Sequence, residues 1–145
     1  MAIQIKMICV GKLKERFYVD AANEYLKRLS GYCKIEVVEI PEHGPLPDLA
    51  VKNQPGTLTV ALCVEGREID SPGLAELLES CALNGTSRLR FIIGGSNGLR
   101  DDVKDASDVK MSLSKMTFPH NLARVILLEQ LYRAFNINEG GKYHK

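Results

Sequence analysis

Ile3 to Val10 is an apolar-rich run, interrupted at Gln4 and Lys6 and with Gly11 behind it, which predicts a buried first strand. The pattern then turns helical. From Leu13 to Leu29, Phe17, Ala21, Tyr25 and Leu29 fall four apart on one face, and Gly31 is placed to end the helix. Lys34 to Ile40 alternates as a second strand and stops at Pro41. The stretch His43–Gly56 holds Pro45, Pro47 and Pro55, and is only just long enough for a crossover between parallel strands. Thr57 to Val64 is a β-branched, apolar third strand followed by a turn at Glu65-Gly66. Ser71 is expected to cap a helix reaching about Ala82, with Pro72 in its first position and Asn84-Gly85 behind it. Arg88–Ile93 reads as a fourth strand, Asp101–Ser107 as a short helix, Met111–Ser114 as a short fifth strand and Leu122–Phe135 as the final helix.

Strands alternate with helical patterns throughout. That predicts an α/β fold, a mainly parallel sheet flanked by helices. The final helix has a further property: Leu122, Val125, Ile126, Leu127, Leu128, Leu131, Tyr132, Ala134 and Phe135 cover nearly its whole circumference. Such a helix must pack on its own sheet and on something else. A second copy of the chain is the simplest partner, so a homodimer is expected.

At 145 residues the chain is expected to form one domain, 1–145. No apolar run approaches the ~20 residues of a bilayer span, and the start lacks a secretory pattern, so a cytoplasmic protein with no membrane partner is expected. Cys9, Cys33, Cys63 and Cys81 are far apart and form no C-x-x-C pair, which favours reduced thiols over a disulfide frame or metal site. The three histidines have no ligand spacing, so no metal is expected. Net charge is only +1, but residues 1–40 carry +2, residues 41–109 carry −5 and residues 110–145 carry +4. If the two ends meet in the fold they make a basic patch; otherwise this is ordinary solvated charge.

Two loops and the tail are candidates for chemistry. Gly94-Gly95-Ser96-Asn97-Gly98 follows a buried strand, where glycines let backbone N–H groups approach a ligand; as a plain turn it needs no ligand at all. It matches neither a dinucleotide fingerprint nor a P-loop. Leu113 to Phe118 links the fifth strand to the final helix, with Thr117 and Pro119 as start signals. Glu129 and Arg133, four apart on an otherwise apolar helix, either pair in solvent or face a cleft. His120 beside Pro119 reads as a helix-start residue. His144 lies past a Gly140-Gly141 hinge between Tyr143 and Lys145, suited to stack a base and contact phosphate if it is not simply loose surface.

Three stretches carry a family resemblance: F-I-I-G-G-S-N-G-L at 91–99, S-L-S-K-M-T-F-P-H-N-L-A-R-V-I-L-L-E-Q-L-Y-R-A-F at 112–135, and Y-H-K at 143–145. With V-G-K-L-K-E-R-F-Y at 10–18, the chain resembles the RlmH family over nearly its whole length. These SPOUT-class enzymes methylate N3 of a pseudouridine in helix 69 of bacterial 23S ribosomal RNA. The resemblance implies a C-terminal trefoil knot and S-adenosylmethionine as cofactor. It implies a cofactor site at Leu62, Gly94, Leu113, Ser114, Lys115, Met116, Thr117 and Phe118, and a dimer in which the tail of one protomer lies near the cofactor of the other. One departure is the crossover, usually longer and helical in the family and here cut to His43–Gly56.

For methyl transfer to an imide nitrogen, the resemblance points to a base near neutrality at His144 and a fixed cation at Arg133. Tyr143 would stack or position the ring, Glu129 would orient Arg133, and Lys145 would meet phosphate. The assembled ribosome, containing 23S rRNA, is the expected partner. A non-catalytic ribosome-associated factor, and a SPOUT enzyme with another RNA target, are the alternatives.

Overall fold

The computed structural model describes residues 3–42 and 54–145. Most of the expected crossover, 43–53, lies outside the described residues. The elements are β1 (Gln4–Val10), α1 (Arg16–Leu29), β2 (Lys34–Ile40), β3 (Thr57–Glu68), α2 (Ser71–Leu83), β4 (Arg88–Ile93), α3 (Asp101–Ala106), β5 (Val109–Ser112) and α4 (His120–Asn138). The five strands form one sheet in the order β2-β1-β4-β3-β5, and every pairing is parallel. All strand carboxyl ends therefore open on the same edge, where α/β sheets bind ligands.

Apolar residues fill both sides of the central strands because a parallel sheet is covered on both faces. On one face Met7, Val60 and Phe91, none of them solvent-exposed, pack with Leu29 of α1, Leu78 of α2 and Leu127, Leu128 and Leu131 of α4. On the other, Ile8, Ala61 and Ile92 pack with Leu99 and with Val103 of α3. Each fully buried side chain of this size is worth ~1.5–3 kcal/mol relative to exposure.

Helix α4 packs against both α1 and α2. Ser71 Oγ donates to Gln130 Oε1 at 2.5 Å, tying α2 to α4. The expected Ser71 cap is thus replaced: Asp70 is the N-cap, its Oδ1 accepting from the Gly73 N–H at 2.8 Å. Helix α1 starts at Arg16 rather than Leu13, and Phe17, expected on its buried face, is 66% exposed while Ala22 and Leu29 are buried. The face that reaches the core runs through Ala22, Tyr25, Leu26 and Leu29, so the i, i+4 series holds at its later members and not at Phe17.

Strand β3 runs past Val64 to Glu68, with a register break between Leu62 and Arg67 where it meets β5. Gly66 sits at that break: a Cβ there would lie 2.8 Å from backbone atoms of Lys110 and Met111. Only a residue without a side chain lets the two backbones come so close. Strand β5 is Val109–Ser112, so Leu113 and Ser114 leave the sheet and open the loop into α4.

Candidate active site

A cleft of about 590 Å³ opens at the carboxyl ends of β3, β4 and β5. Seven of the eight residues expected at a cofactor, Leu62, Gly94, Leu113, Ser114, Met116, Thr117 and Phe118, line it; Lys115 is exposed and does not. Gly94 has no space for a side chain, since a Cβ would stand 2.5 Å from the Gly98 carbonyl carbon. The Gly95–Gly98 turn closes through Gly98 N–H to Gly95 O at 3.0 Å, with Gly98 at φ +73°. The opposite wall is shaped by its own serines. Ser112 Oγ donates to Ser114 O at 2.8 Å, and Ser114 Oγ accepts from Met116 N–H at 3.0 Å.

At the rim, Lys104 Nζ of α3 reaches Glu65 Oε1 at 2.5 Å. That hydrogen bond holds the Glu65 carboxyl below its ordinary range and raises the Lys104 ammonium. Cys63 also lines the cleft, its thiol pushed up by burial. His120 and Ala123, at the start of α4, complete the lining on the other side. Among the described residues no group of three or more His, Cys, Asp or Glu could hold a metal ion, and no helix is long and apolar enough to cross a membrane.

The four residues expected to act on the substrate form a second cluster on the far half of α4. Arg133 donates to Glu129 Oε2 through Nη2 at 2.7 Å and Nε at 3.1 Å. Tyr143 OH donates to the same Oε2 at 2.8 Å. The Arg133 guanidinium lies 4.7 Å from the Tyr143 ring centroid, and its Nη1 is 3.0 Å from His144 Nδ1. A guanidinium only donates, so His144 Nδ1 is the acceptor and carries no proton in this contact. Burial pushes the Glu129 carboxyl up, but hydrogen bonds from Arg133 and Tyr143 outweigh it and hold it below its ordinary value. Burial and the Glu129 carboxylate raise Tyr143 well above the usual phenol range.

The tail is pinned to its own helix: Tyr143 N–H donates to Asn136 Oδ1 at 3.1 Å, and the Tyr143 ring meets Tyr132 edge-on at 4.8 Å. None of the four cluster residues lines the cleft of the same chain. His120, which does, lies on the same helix as Arg133, about 20 Å away at ~1.5 Å per residue. Leu122, Ile126, Glu129 and Arg133, spaced four, three and four, run between the two sites as a half-exposed stripe.

Sequence reasoning missed Arg124. It is 4% exposed on α4, and its Nη1 donates to Glu39 Oε2 at 2.7 Å and its Nη2 to Gly11 O at 3.1 Å. Glu39 also accepts from Leu13 N–H at 2.8 Å. The one available signal was an arginine at a position flanked by apolar residues on both sides.

The chain matches, over residues 3–144, the family model described as "Predicted SPOUT methyltransferase". It is 44% identical over 159 residues to the ribosomal RNA large subunit methyltransferase H of Acetivibrio thermocellus, covering 99% of this chain and 100% of that protein. It is 40% identical over 160 residues to the protein of that name from Oenococcus oeni, covering 99% of each. Among solved structures, a probable methyltransferase from Bordetella pertussis Tohama I shares the fold with a TM-score of 0.60 at 14% identity, covering 92% of this chain and 96% of that one. A family match over residues 3–144 and full-length identity of 40–44% lead to one assignment: the chain belongs to the SPOUT methyltransferase family, in the RlmH group.

Proposed function

We propose that this protein is a cytoplasmic, single-domain homodimer that uses S-adenosylmethionine to methylate N3 of a pseudouridine in helix 69 of 23S rRNA, acting on the ribosome. The observation that carries the reading is the separation of two half-sites on one helix. A ligand-sized cleft lies at the start of α4, and an assembled Glu129–Arg133–Tyr143–His144 cluster lies on its far half, outside that cleft.

The cleft suits the cofactor. About 590 Å³ lies within the ~300–1,000 Å³ usual for small-molecule sites, and the lining is mostly apolar side chains and backbone. At Gly94 a Cβ would collide with the neighbouring turn, so bare backbone faces the ligand there. When bound, S-adenosylmethionine supplies an electrophilic methyl group on sulfur. Leu62, Gly94 and the 113–118 loop would hold it, and this loop pair is read as the family's knotted segment.

An antiparallel contact between two α4 helices through Leu122, Ile126, Glu129 and Arg133 would set the Arg133 end of one over the His120 end of the other. The tail cluster then serves the partner's cleft. Its outer edge pairs a donor, Arg133 Nη1, with an acceptor, His144 Nδ1, at 3.0 Å. A uracil-like ring presents the complement: an N3–H donor flanked by carbonyl acceptors. Insertion of that edge lets Nδ1 accept the N3 proton while the guanidinium moves onto a carbonyl oxygen, where the imide's charge collects. Glu129 keeps Arg133 aimed, and Tyr143 fixes Glu129 from the other side. The cluster's part is thus to strip the N3 proton and hold the nitrogen toward the cleft, where a bound sulfonium would supply the methyl group.

Complementation between defective subunits tests this. A cleft-defective variant and His144→Ala are each expected to be inactive on ribosomes lacking the modification. Mixed through unfolding and refolding, they should recover roughly a quarter of wild-type methylation, because half the dimers are mixed and each has one intact composite site. No recovery, or a labelled nucleotide mapping elsewhere, would refute the proposal.

A further inference from the structure

The loop between β1 and α1 is held to α4 and β2 by three polar contacts. Arg124 Nη2 takes the Gly11 carbonyl at 3.1 Å, Glu39 takes the Leu13 amide at 2.8 Å, and Asn121 Nδ2 reaches Glu15 Oε2 at 3.3 Å. Asn121 and Arg124 flank Ala123, which lines the cleft, so the loop's place relative to the cleft is fixed by the first turns of α4. On the other side, the end of β1 that leads into this loop borders the Gly95 turn, where a Cβ would lie 3.3 Å from Val10 Cγ1.

The loop shows alternation of its own. Leu13 turns inward against the core, while Lys12, Lys14, Arg16 and Phe17 are exposed. Arg16 pairs with Asp20 at 3.2 Å, in a contact that is exposed on both sides. Lys12, Lys14 and Lys115 make no ion pair within 4.0 Å among the described residues, and Lys12 lies near enough to Glu39 to help hold its carboxyl low. Phe17, 66% exposed, lies against Tyr18 with centroids 4.5 Å apart, and Met116, 73% exposed, sits in the 113–118 loop. The loop after β1 and the loop before α4 both lie at the carboxyl edge of the parallel sheet, and Asn121 ties the start of α4 to Glu15.

We propose that this rim, Lys12, Lys14, Lys115 and Phe17, is where the substrate RNA strand is gripped by the same subunit that holds the cofactor. The lysines meet phosphates and Phe17 stacks on an unpaired base. Cations beside an exposed aromatic ring are the arrangement that binds single-stranded RNA, charge following the backbone and the ring taking a base face. The Arg124–Glu39 pair, buried on its arginine side, keeps the rim in register with the cleft, so that a strand held there delivers its next base toward the cleft. The inference rests on the reading that the substrate is ribosomal RNA, and it assigns the cofactor-bearing subunit a share of the contacts that the tail cluster alone would not supply.

The test is binding of fluorescently labelled protein to ribosomes lacking the modification, measured between about 50 and 200 mM salt. Lys12→Ala/Lys14→Ala should weaken binding about tenfold or more and reduce the slope of log affinity against log salt by roughly 1.5, as loss of two phosphate contacts requires. Phe17→Ala should weaken it by roughly 5- to 100-fold at an unchanged slope. Calorimetric affinity for S-adenosylhomocysteine should be the same in all three proteins. A double-lysine variant with wild-type affinity and slope overturns the proposal while leaving the methyltransferase reading intact. Wild-type protein that fails to bind these ribosomes at any salt sinks both. A Phe17→Ala protein that becomes monomeric by light scattering assigns the ring to the subunit interface instead and overturns its stacking role.

Discussion

Replacing Arg124 by Met should be the most damaging single change outside the hydrophobic core. The side chain is 4% exposed and gives up two interactions, one to the Glu39 carboxylate at 2.7 Å and one to the Gly11 carbonyl at 3.1 Å. A hydrogen bond to a charged group is worth ~1.5–3 kcal/mol net. Breaking a fully buried pair costs ~3–5 kcal/mol, but Glu39 is 35% exposed, can take up water, and still accepts from Leu13. The expected loss is therefore about 2–3 kcal/mol, or a fall of roughly 6–10 °C in Tm for a chain of this size. The pH dependence follows from Glu39. Burial pushes its carboxyl up, but Arg124 and the Leu13 amide outweigh this and leave it below the ordinary value. A carboxyl held low in the folded state contributes stability that is complete above the unfolded value, ~4.3, and disappears as pH falls through the folded one. Urea unfolding should thus show a constant gap between wild type and Arg124→Met from about pH 6 to 8, narrowing as pH drops below about 4 to the part that the Gly11 bond supplies. In a double-mutant cycle Glu39→Gln should reduce the cost of Arg124→Met to roughly what the Gly11 bond supplies, about 1 kcal/mol. A variant within about 0.5 kcal/mol of wild type, or a gap indifferent to pH, would refute the ion-pair account.

Two further outcomes bear on the cleft. Gly94→Ala places a methyl 2.5 Å from the backbone of Gly98, so the loop must move; S-adenosylhomocysteine affinity should fall at least tenfold with little change in far-UV circular dichroism, and unaltered affinity would remove this backbone from the site. Burial pushes the Cys9 and Cys33 thiols up to about 11, which leaves them slow to alkylate, whereas Cys63 lines the cleft. Bound S-adenosylhomocysteine should slow maleimide labelling of Cys63 several-fold in peptide mass spectra, and an unchanged rate would place the ligand elsewhere.

Strands β2 and β4 were legible to the residue, because Gly, Pro and polar neighbours bracket short β-branched runs. Strand β3 was under-read at its far end: Glu65, Arg67 and Glu68 look like loop in composition, and only pairing with β5 across Gly66 keeps them extended. The same pairing begins β5 two residues earlier than its apolar pattern suggests. Ser71 and Asp70 are both good caps, and the choice between them was decided by a tertiary contact, Ser71 to Gln130. Seven of the eight residues that the family motifs point to lie on one cleft, because the loops after β4 and β5 open on the same edge of the sheet. Arg124 was not, since a cation inside an apolar run declares its burial only through partners 85 and 113 residues away. Nor could periodicity indicate that the tail cluster stands off its own cleft, which depends on the length of α4 and where its two ends lie.

The Asn136–Tyr143 bond has a thermodynamic consequence. Gly141, whose Cβ would collide with the Asn136 side chain, lets the chain double back tightly, so the last residues are already immobilised before any RNA arrives. Ordering a loose tail of this kind would otherwise consume ~1–2 kcal/mol per residue of backbone freedom at the moment of encounter. Here that loss is taken during folding, which leaves more of the encounter's free energy for catalysis and makes the terminus a rigid tool rather than a tether.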